Sequence, residues 1–311
     1  MSQSALPLEF RTLHQSRLVT VRDYICRACR HGPSAEESSD GDQIVLMRSG
    51  AFCKHFGRKG VTADVNQAVF FSKGSTYRVS HPGDCGDRGT VLEPAPSVLA
   101  DIVREIDPTF EEHPERPFPS VTGPCAKGVF LKHRELVQRL EPAQGQPLEP
   151  LWADETAIEL IADVLEAAYA RRGLPREVRR TATEADHAEL AEEVKSLLAR
   201  RLGERVTLDE IGQAVHSSPF HVARVFRRQT GLPVHRYLTR LRLRTALERL
   251  EAGASDLTAL ALGLSFSSHS HFTDAFRREF GRTPSDLRNG SGPRVIRQMS
   301  KNLKVAPRRA H

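Results

Sequence analysis

Aromatic side chains are scarce in this chain of 311 residues: they make up 6% of it, with a single Trp and four Tyr. Leu, Val and Ala must therefore build the cores, and a chain of this length exceeds one ordinary core, so two domains are expected. Cysteines number five. All of them (Cys26, Cys29, Cys53, Cys85 and Cys125) fall in the first 125 residues, and an odd count excludes a fully paired disulfide framework. No run approaches the roughly 18 apolar residues that a membrane span requires. The opening residues, Met-Ser-Gln-Ser-Ala-Leu-Pro, lack the basic and apolar stretches of a secretory signal. Reduced thiols in a cytoplasm, with no membrane partner, are the expectation.

What is present is charge, and it is unevenly spread. Residues 190–290 hold 16 Lys/Arg against 11 Asp/Glu, and residues 291–311 hold 6 against none. The first 189 residues hold 23 against 28. An acidic half followed by a basic half suggests that only the second meets a polyanion, although a solvated charged surface accounts for the same numbers.

Residues 1–125 read as β-rich, an effector-binding barrel or small sandwich. Apolar segments Leu18–Val21, Ile44–Met47, Ala68–Phe71 and Tyr77–Ser80 alternate with turn clusters such as Asp40-Gly41-Asp42 and His81-Pro82-Gly83-Asp84. Across Lys127–Leu140 and Pro150–Arg171 the period becomes helical, with Leu151, Ile158, Ile161, Leu165 and Ala168 recurring on one face. Residues 126–171 thus form a helical segment that either dimerises through that face or docks back on the barrel. Residues 172–186 lack a period and read as a linker. Residues 291–311 are basic, without a core pattern, and read as a disordered tail adding phosphate contacts.

Residues 187–290 contain one pattern twice. Val222 to Phe272, Phe226 to Phe276 and Gly231 to Gly281 are each fifty apart. Two copies are too few for a solenoid. In the first copy Thr207-Leu-Asp-Glu210 is a capping box, and Ser218-Pro219 places a side-chain cap before a proline at the first helical position. The helix that follows buries Val222, Val225 and Phe226. Its other face carries Phe220, His221, Ala223, Arg224, Arg227 and Arg228. A connecting helix over Val234–Glu251, roughly 17 residues at ~1.5 Å each, spans about 26 Å. In the second copy Ser268 caps a helix that buries Phe272, Phe276 and Phe280 and shows His269, Ser270, His271, Thr273, Arg277 and Arg278. Thr283-Pro284 starts a last short helix, whose amides are placed to hold a backbone phosphate. Two such units read as a double helix-turn-helix, and one chain then sets two helices near the roughly 34 Å turn of duplex DNA.

Arg240-Leu-Arg-Leu-Arg-Thr-Ala246, the run from Ser268 to Gly281 and Thr283-Pro-Ser285 resemble the AraC/XylS-type transcription regulators. The resemblance implies that Phe220, Ala223 and Arg224 read base edges in the first unit, with Ser218 at its cap. In the second it implies Ser270, His271 and Thr273, with their neighbour His269. It further implies an operator or promoter duplex, a small-molecule effector, RNA polymerase and a second copy of the chain as partners, and activation of transcription. The sequence departs from the family at Ser265, where glycine is usual in the turn, and at Asp274, where many members carry Arg. Gly57, Asp64–Phe71 and Tyr77–Pro82 look similar to the cupin-like barrels that precede this module in many regulators.

Other chemistries find less support. The cupin metal motif is absent, and His55 and His81 stand alone, so no cofactor or metal site is assigned. Cys26-Arg-Ala-Cys29 has ligand spacing, with Cys53 and Cys85 available to complete a four-thiolate zinc site, but a second Cys-x-x-Cys is missing. Inert cysteines, or a thiolate redox sensor tuned by Arg27 and Arg30, account for the same residues. No nucleophile–base–orienter spacing supports an enzyme, so no catalytic residue is assigned. The fold class expected is α+β in two domains: a cupin-like barrel with a helical segment, then an all-α double helix-turn-helix.

Overall fold

Strand β2 (Val19–Cys26) alternates buried and half-buried residues over its first half, the pattern of a sheet with one face inward. The computed structural model describes residues 8–28, 32–57, 59–82, 86–141, 150–172 and 182–289. Cys29, Cys85, nine residues of the expected linker (173–181) and the basic tail lie outside the described residues. The first domain consists of two antiparallel sheets. β1 (Leu8–Gln15), β2, β9 (Asp87–Pro94), β4 (Gln43–Gly50), β7 (Gln67–Phe71) and β10 (Thr122–Pro124) form one, in that order; β3 (Glu37–Ser38), β8 (Thr76–Ser80), β5 (Phe52–Phe56) and β6 (Lys59–Ala63) form the other. Every residue of β7 is buried, because helices cover the face of its sheet that turns away from the partner sheet. The four apolar segments read from the sequence fall in β2, β4, β7 and β8. The stretch read as β-rich also contains a helix, α1 (Pro96–Ile106), which Pro96 opens at its first turn.

Helices α2 (Lys127–Leu140) and α3 (Pro150–Arg172) have the expected bounds to within a residue. Of the two fates open to their apolar faces, docking on the sheet domain is the one observed. Ala153, Ala157, Leu160, Ile161, Val164, Leu165 and Ala168 of α3 are buried against the sheet and α2. Ile158 and Leu151 of the expected stripe are not in that core, and Leu151 is exposed. At α2, His133 Nε2 lies 2.8 Å from Thr90 Oγ1 of β9.

Seven helices follow: α4 (Ala182–Arg200), α5 (Leu208–Ala214), α6 (Pro219–Thr230), α7 (Val234–Glu251), α8 (Leu257–Gly263), α9 (His269–Phe280) and α10 (Pro284–Asn289). α4 begins inside the expected linker, five residues before 187. The two helix-turn-helix units have different cores. α4, α5, α6 and the first half of α7 close a small one around Val194, Leu198, Ile211, Val222, Phe226 and Tyr237. Leu257, Leu260, Phe272, Phe276 and Phe280 of the second unit instead join the core of the sheet domain. The joint is aromatic, with the Phe130 ring of α2 stacked 6.2 Å from Phe280. Burial of α7 extends well beyond one stripe of Tyr237, Leu238, Leu241 and Leu250. Leu243, Arg244, Leu247 and Glu248 are buried as well, since the first domain covers its other side.

Candidate nucleic-acid interface

The two exposed helices are set by their caps. In α6 the Ser218 hydroxyl accepts from the His221 amide at 3.2 Å, Pro219 takes the first helical position, and Gly231 ends the helix at φ +77°. That left-handed φ is cheap only for glycine. Val222, Val225 and Phe226 are buried, while Ser218, Arg224, Arg227 and Arg228 are exposed. Ala223 is half-buried. His221 differs from expectation: its ring stands 5.3 Å from His187 of α4, so this half-buried side chain turns toward its own domain. The Phe220 side chain lies outside what is described.

In α9 the Ser268 hydroxyl accepts from the His271 amide at 3.1 Å, and Gly281 ends the helix at φ +75°. His269, Ser270, His271, Arg277 and Arg278 are exposed. Thr273 is a second correction. It is half-buried, and its hydroxyl is shut away from solvent without a hydrogen-bond partner. The His271 ring is oriented, with Nδ1 3.0 Å from Ser267 Oγ and the ring edge-on to Phe266 at 5.6 Å. Asp274 is exposed on the same helix.

The turns before these helices use left-handed residues that are not glycine, His216 at φ +50° and Ser265 at φ +58°. The missing glycine at Ser265 is thus met by strain on a serine. The units also differ in length here. The Ser217 amide donates to Gly212 O at 2.8 Å and the Phe266 amide to Ala261 O at 3.0 Å. That correspondence is forty-nine residues rather than fifty, so the second turn carries one residue more before its cap. Gly212 permits the tight version, because a Cβ there would lie 2.7 Å from Ser217 O. At α10 the expected phosphate cradle is already occupied. Thr283 and Asp286 cap one another, the Asp286 carboxylate accepting from the Thr283 amide at 2.9 Å.

The arginines of the Arg240–Ala246 run bond within the chain, and each ties α7 to a different element. Arg240 Nε lies 3.6 Å from Glu279 Oε1 of α9. Arg242 donates to Leu202 O at 2.9 Å, beyond the end of α4. Arg244, fully buried, donates to Cys125 O at 2.9 Å and to Val65 O, both in the first domain, and stacks on Phe130. These three of the sixteen cations counted in residues 190–290, and Lys195 and Arg201 with Glu192 and Glu204, are therefore committed within the chain.

Sequence reasoning missed this joint between the domains. Tyr237 donates to Asp64 Oδ2 at 2.6 Å, and Thr62 N donates to Glu192 Oε2 of α4 at 2.6 Å. Burial pushes the Asp64 carboxyl above its usual range, against the hydrogen bonds from Tyr237 and the Asn66 amide. At the far end of α7 the buried Arg134 of α2 pairs with Glu248 and Glu251. Glu248 also meets Arg88 at 3.6 Å and Arg48 at 3.8 Å. Burial lowers Arg134 to about 10. Its signal was present in the sequence as acidic residues at the end of a helix otherwise rich in Arg, but no partner was visible.

The described cysteines are free, and they have different neighbours. Cys53 Sγ lies 3.6 Å from Thr62 Oγ1, whereas Cys125 is buried beneath Arg244. His55 Nε2 lies 2.7 Å from Ser80 Oγ. Among the described residues no helix is long and apolar enough to cross a membrane.

Residues 211–290 match the family described as a helix-turn-helix domain. RhaS, an HTH-type transcriptional activator of Escherichia coli, is 28% identical over 165 residues, which are 52% of this chain and 55% of that protein. The chain thus spans about half the length of the curated relatives it matches. A Chromobacterium violaceum regulator with an AraC-type DNA-binding domain is 28% identical, covering 34% of this chain and 94% of its own, at a TM-score of 0.32. ToxT from Vibrio cholerae is 10% identical, covering 90% and 97%, at a TM-score of 0.33. The likeness of this chain to helix-turn-helix regulators thus rests on residues 211–290 for the domain and on 165 residues for the curated relative.

Proposed function

We propose that the chain is a sequence-specific, double-strand-DNA-binding transcription regulator of the activating kind, a cytoplasmic protein rather than an enzyme. A small-molecule effector bound by the first, cupin-like domain controls it, and it acts as a homodimer beside RNA polymerase. One observation carries the reading: α6 and α9 present exposed arginines from two capped helix-turn-helix units joined by one continuous helix. That helix has 18 residues, about 27 Å at ~1.5 Å each. Helices so placed reach successive major grooves on one face of a duplex. Arg224, Arg227, Arg228, Arg277 and Arg278 neutralise phosphates or grip guanine edges, and Ser270, His269 and His271 meet bases.

Control runs through α7, because the same helix carries both reading units and is bonded to the first domain along its length. A cleft of about 1410 Å³ lies between the β5–β6 hairpin, α3 and α4, lined by His55, Thr62, Arg171, Glu192 and Lys195 among others. An effector there touches both domains and alters how the first unit sits relative to the second. Repeated selection of bound duplexes from a random pool tests the reading. Two conserved blocks about 10 base pairs apart are expected, and a pool without enrichment over a protein-free control would refute it.

A further inference from the structure

We propose that Cys26, His81 and Asp87 form a binding site for a divalent transition-metal ion of the zinc class, tying together the ends of β2, β8 and β9. In sequence these residues share no motif, and His81 stands alone. The fold brings them together. Antiparallel register sets Cys26, the last residue of β2, opposite Asp87, the first of β9. His81 follows directly on β8, so it reaches the pair from the other sheet. One ligand atom from each lies within 4.8 Å of the other two.

His81 and Asp87 are buried and Cys26 is half-buried. His81 Nε2 is 2.6 Å from Asp87 Oδ2. Metal–sulfur and metal–nitrogen bonds of ~2.3 and ~2.0 Å set ligand atoms roughly 3–4 Å apart around a tetrahedral ion. The trio therefore needs only a small opening between imidazole and carboxylate and a small approach of the thiol.

The surroundings are built for close approach. Gly86 has φ +64°, and a Cβ there would lie 2.5 Å from Cys26 O; a Cβ on Gly50 would lie 2.5 Å from Gly86 O. Three backbone segments thus cross where only glycine fits. Beside them lies the buried Tyr24, whose hydroxyl is next to the Asp87 carboxylate. A polar group beside a ligating carboxylate is the usual support of a metal site.

The donor set chooses the metal. Thiolate and imidazole favour zinc and its late first-row neighbours over magnesium or calcium, which take oxygen ligands. Three protein ligands leave a fourth position for solvent or an incoming donor. The competing arrangement is a purely hydrogen-bonded trio that holds no metal.

The full chain, stripped with chelator under reducing conditions, is titrated with Co(II) and then Zn(II). One equivalent of cobalt with a thiolate-to-cobalt charge-transfer band, bleached by zinc, is expected. Cys26→Ser removes the band, His81→Gln and Asp87→Asn each weaken zinc by about 10-fold or more, and Cys53→Ser leaves both unchanged. No thiolate band, or a band that survives in Cys26→Ser, overturns the proposal. Should a variant not fold, alkylation of Cys26 in the unsubstituted chain, mapped by peptide mass, decides. Zinc slows it if the site is real, and equal rates with and without zinc overturn the proposal.

Discussion

Tyr237 donates to the buried carboxylate of Asp64 at 2.6 Å, and the same ring stands edge-on to Phe226 at 5.3 Å. One side chain thereby touches both the sheet domain and the core beneath α6. Tyr237→Phe keeps the ring and removes the hydroxyl, leaving Asp64 one donor short. A loss of about 1–3 kcal/mol in denaturant unfolding is expected. An unchanged midpoint would mean that the bond contributes nothing to docking.

Arg134→Ala removes the buried guanidinium, leaving Glu248 with only the longer contacts to Arg88 and Arg48 and Glu251 with Gln138. Removing one partner of such a pair costs about 3–5 kcal/mol, and equilibrium unfolding should show it. A variant as stable as the parent would place this arginine in solvent and dissolve the joint between α2 and α7.

The single Trp, Trp152 on α3, reports on the first domain. Phe276→Ala and Phe226→Ala should each cost about 3–5 kcal/mol, but only Phe276 belongs to the core shared with the sheets. Trp152 fluorescence should therefore lose its transition earlier in Phe276→Ala and little in Phe226→Ala. Equal shifts in both would show that the two cores unfold as one.

Lys54 is buried, its ammonium donating to Phe70 O at 2.8 Å and standing 3.7 Å from the centre of the Phe71 ring. Burial lowers it to about 8 from 10.5. Between those values the unfolded chain binds the extra proton, so stability rises with pH; below 8 both states are charged and the burial penalty is complete. The stability of Lys54→Met relative to the parent should accordingly fall as pH climbs from 8 to 10.5. A difference independent of pH would contradict the buried placement.

The helix-turn-helix units were legible in the sequence because caps and glycine stops act locally. Thr207 with Glu210, Ser218 with Pro219, and Gly231 and Gly281 each sit where their chemistry requires, and α6, α7 and α9 have the expected bounds. The failures at the joint and at the cysteine are non-local. Arg244 looks like a cation for DNA until Val65 and Cys125 are beside it. His221 lies on the outward side by helical spacing and is drawn in by His187 of α4. Cys26, His81 and Asp87 meet only through strand register, which no spacing reveals.

The central claim is that α6 and α9 read separate parts of one duplex. Binding of a library of single-base variants of the selected duplex should be measured for the full chain, Arg224→Ala and His271→Ala. Arg224→Ala should lose about 1–3 kcal/mol and relax base preference in one block, while His271→Ala relaxes the other. Unchanged affinity and base preference in both variants would contradict the assignment of these helices as the DNA-reading elements.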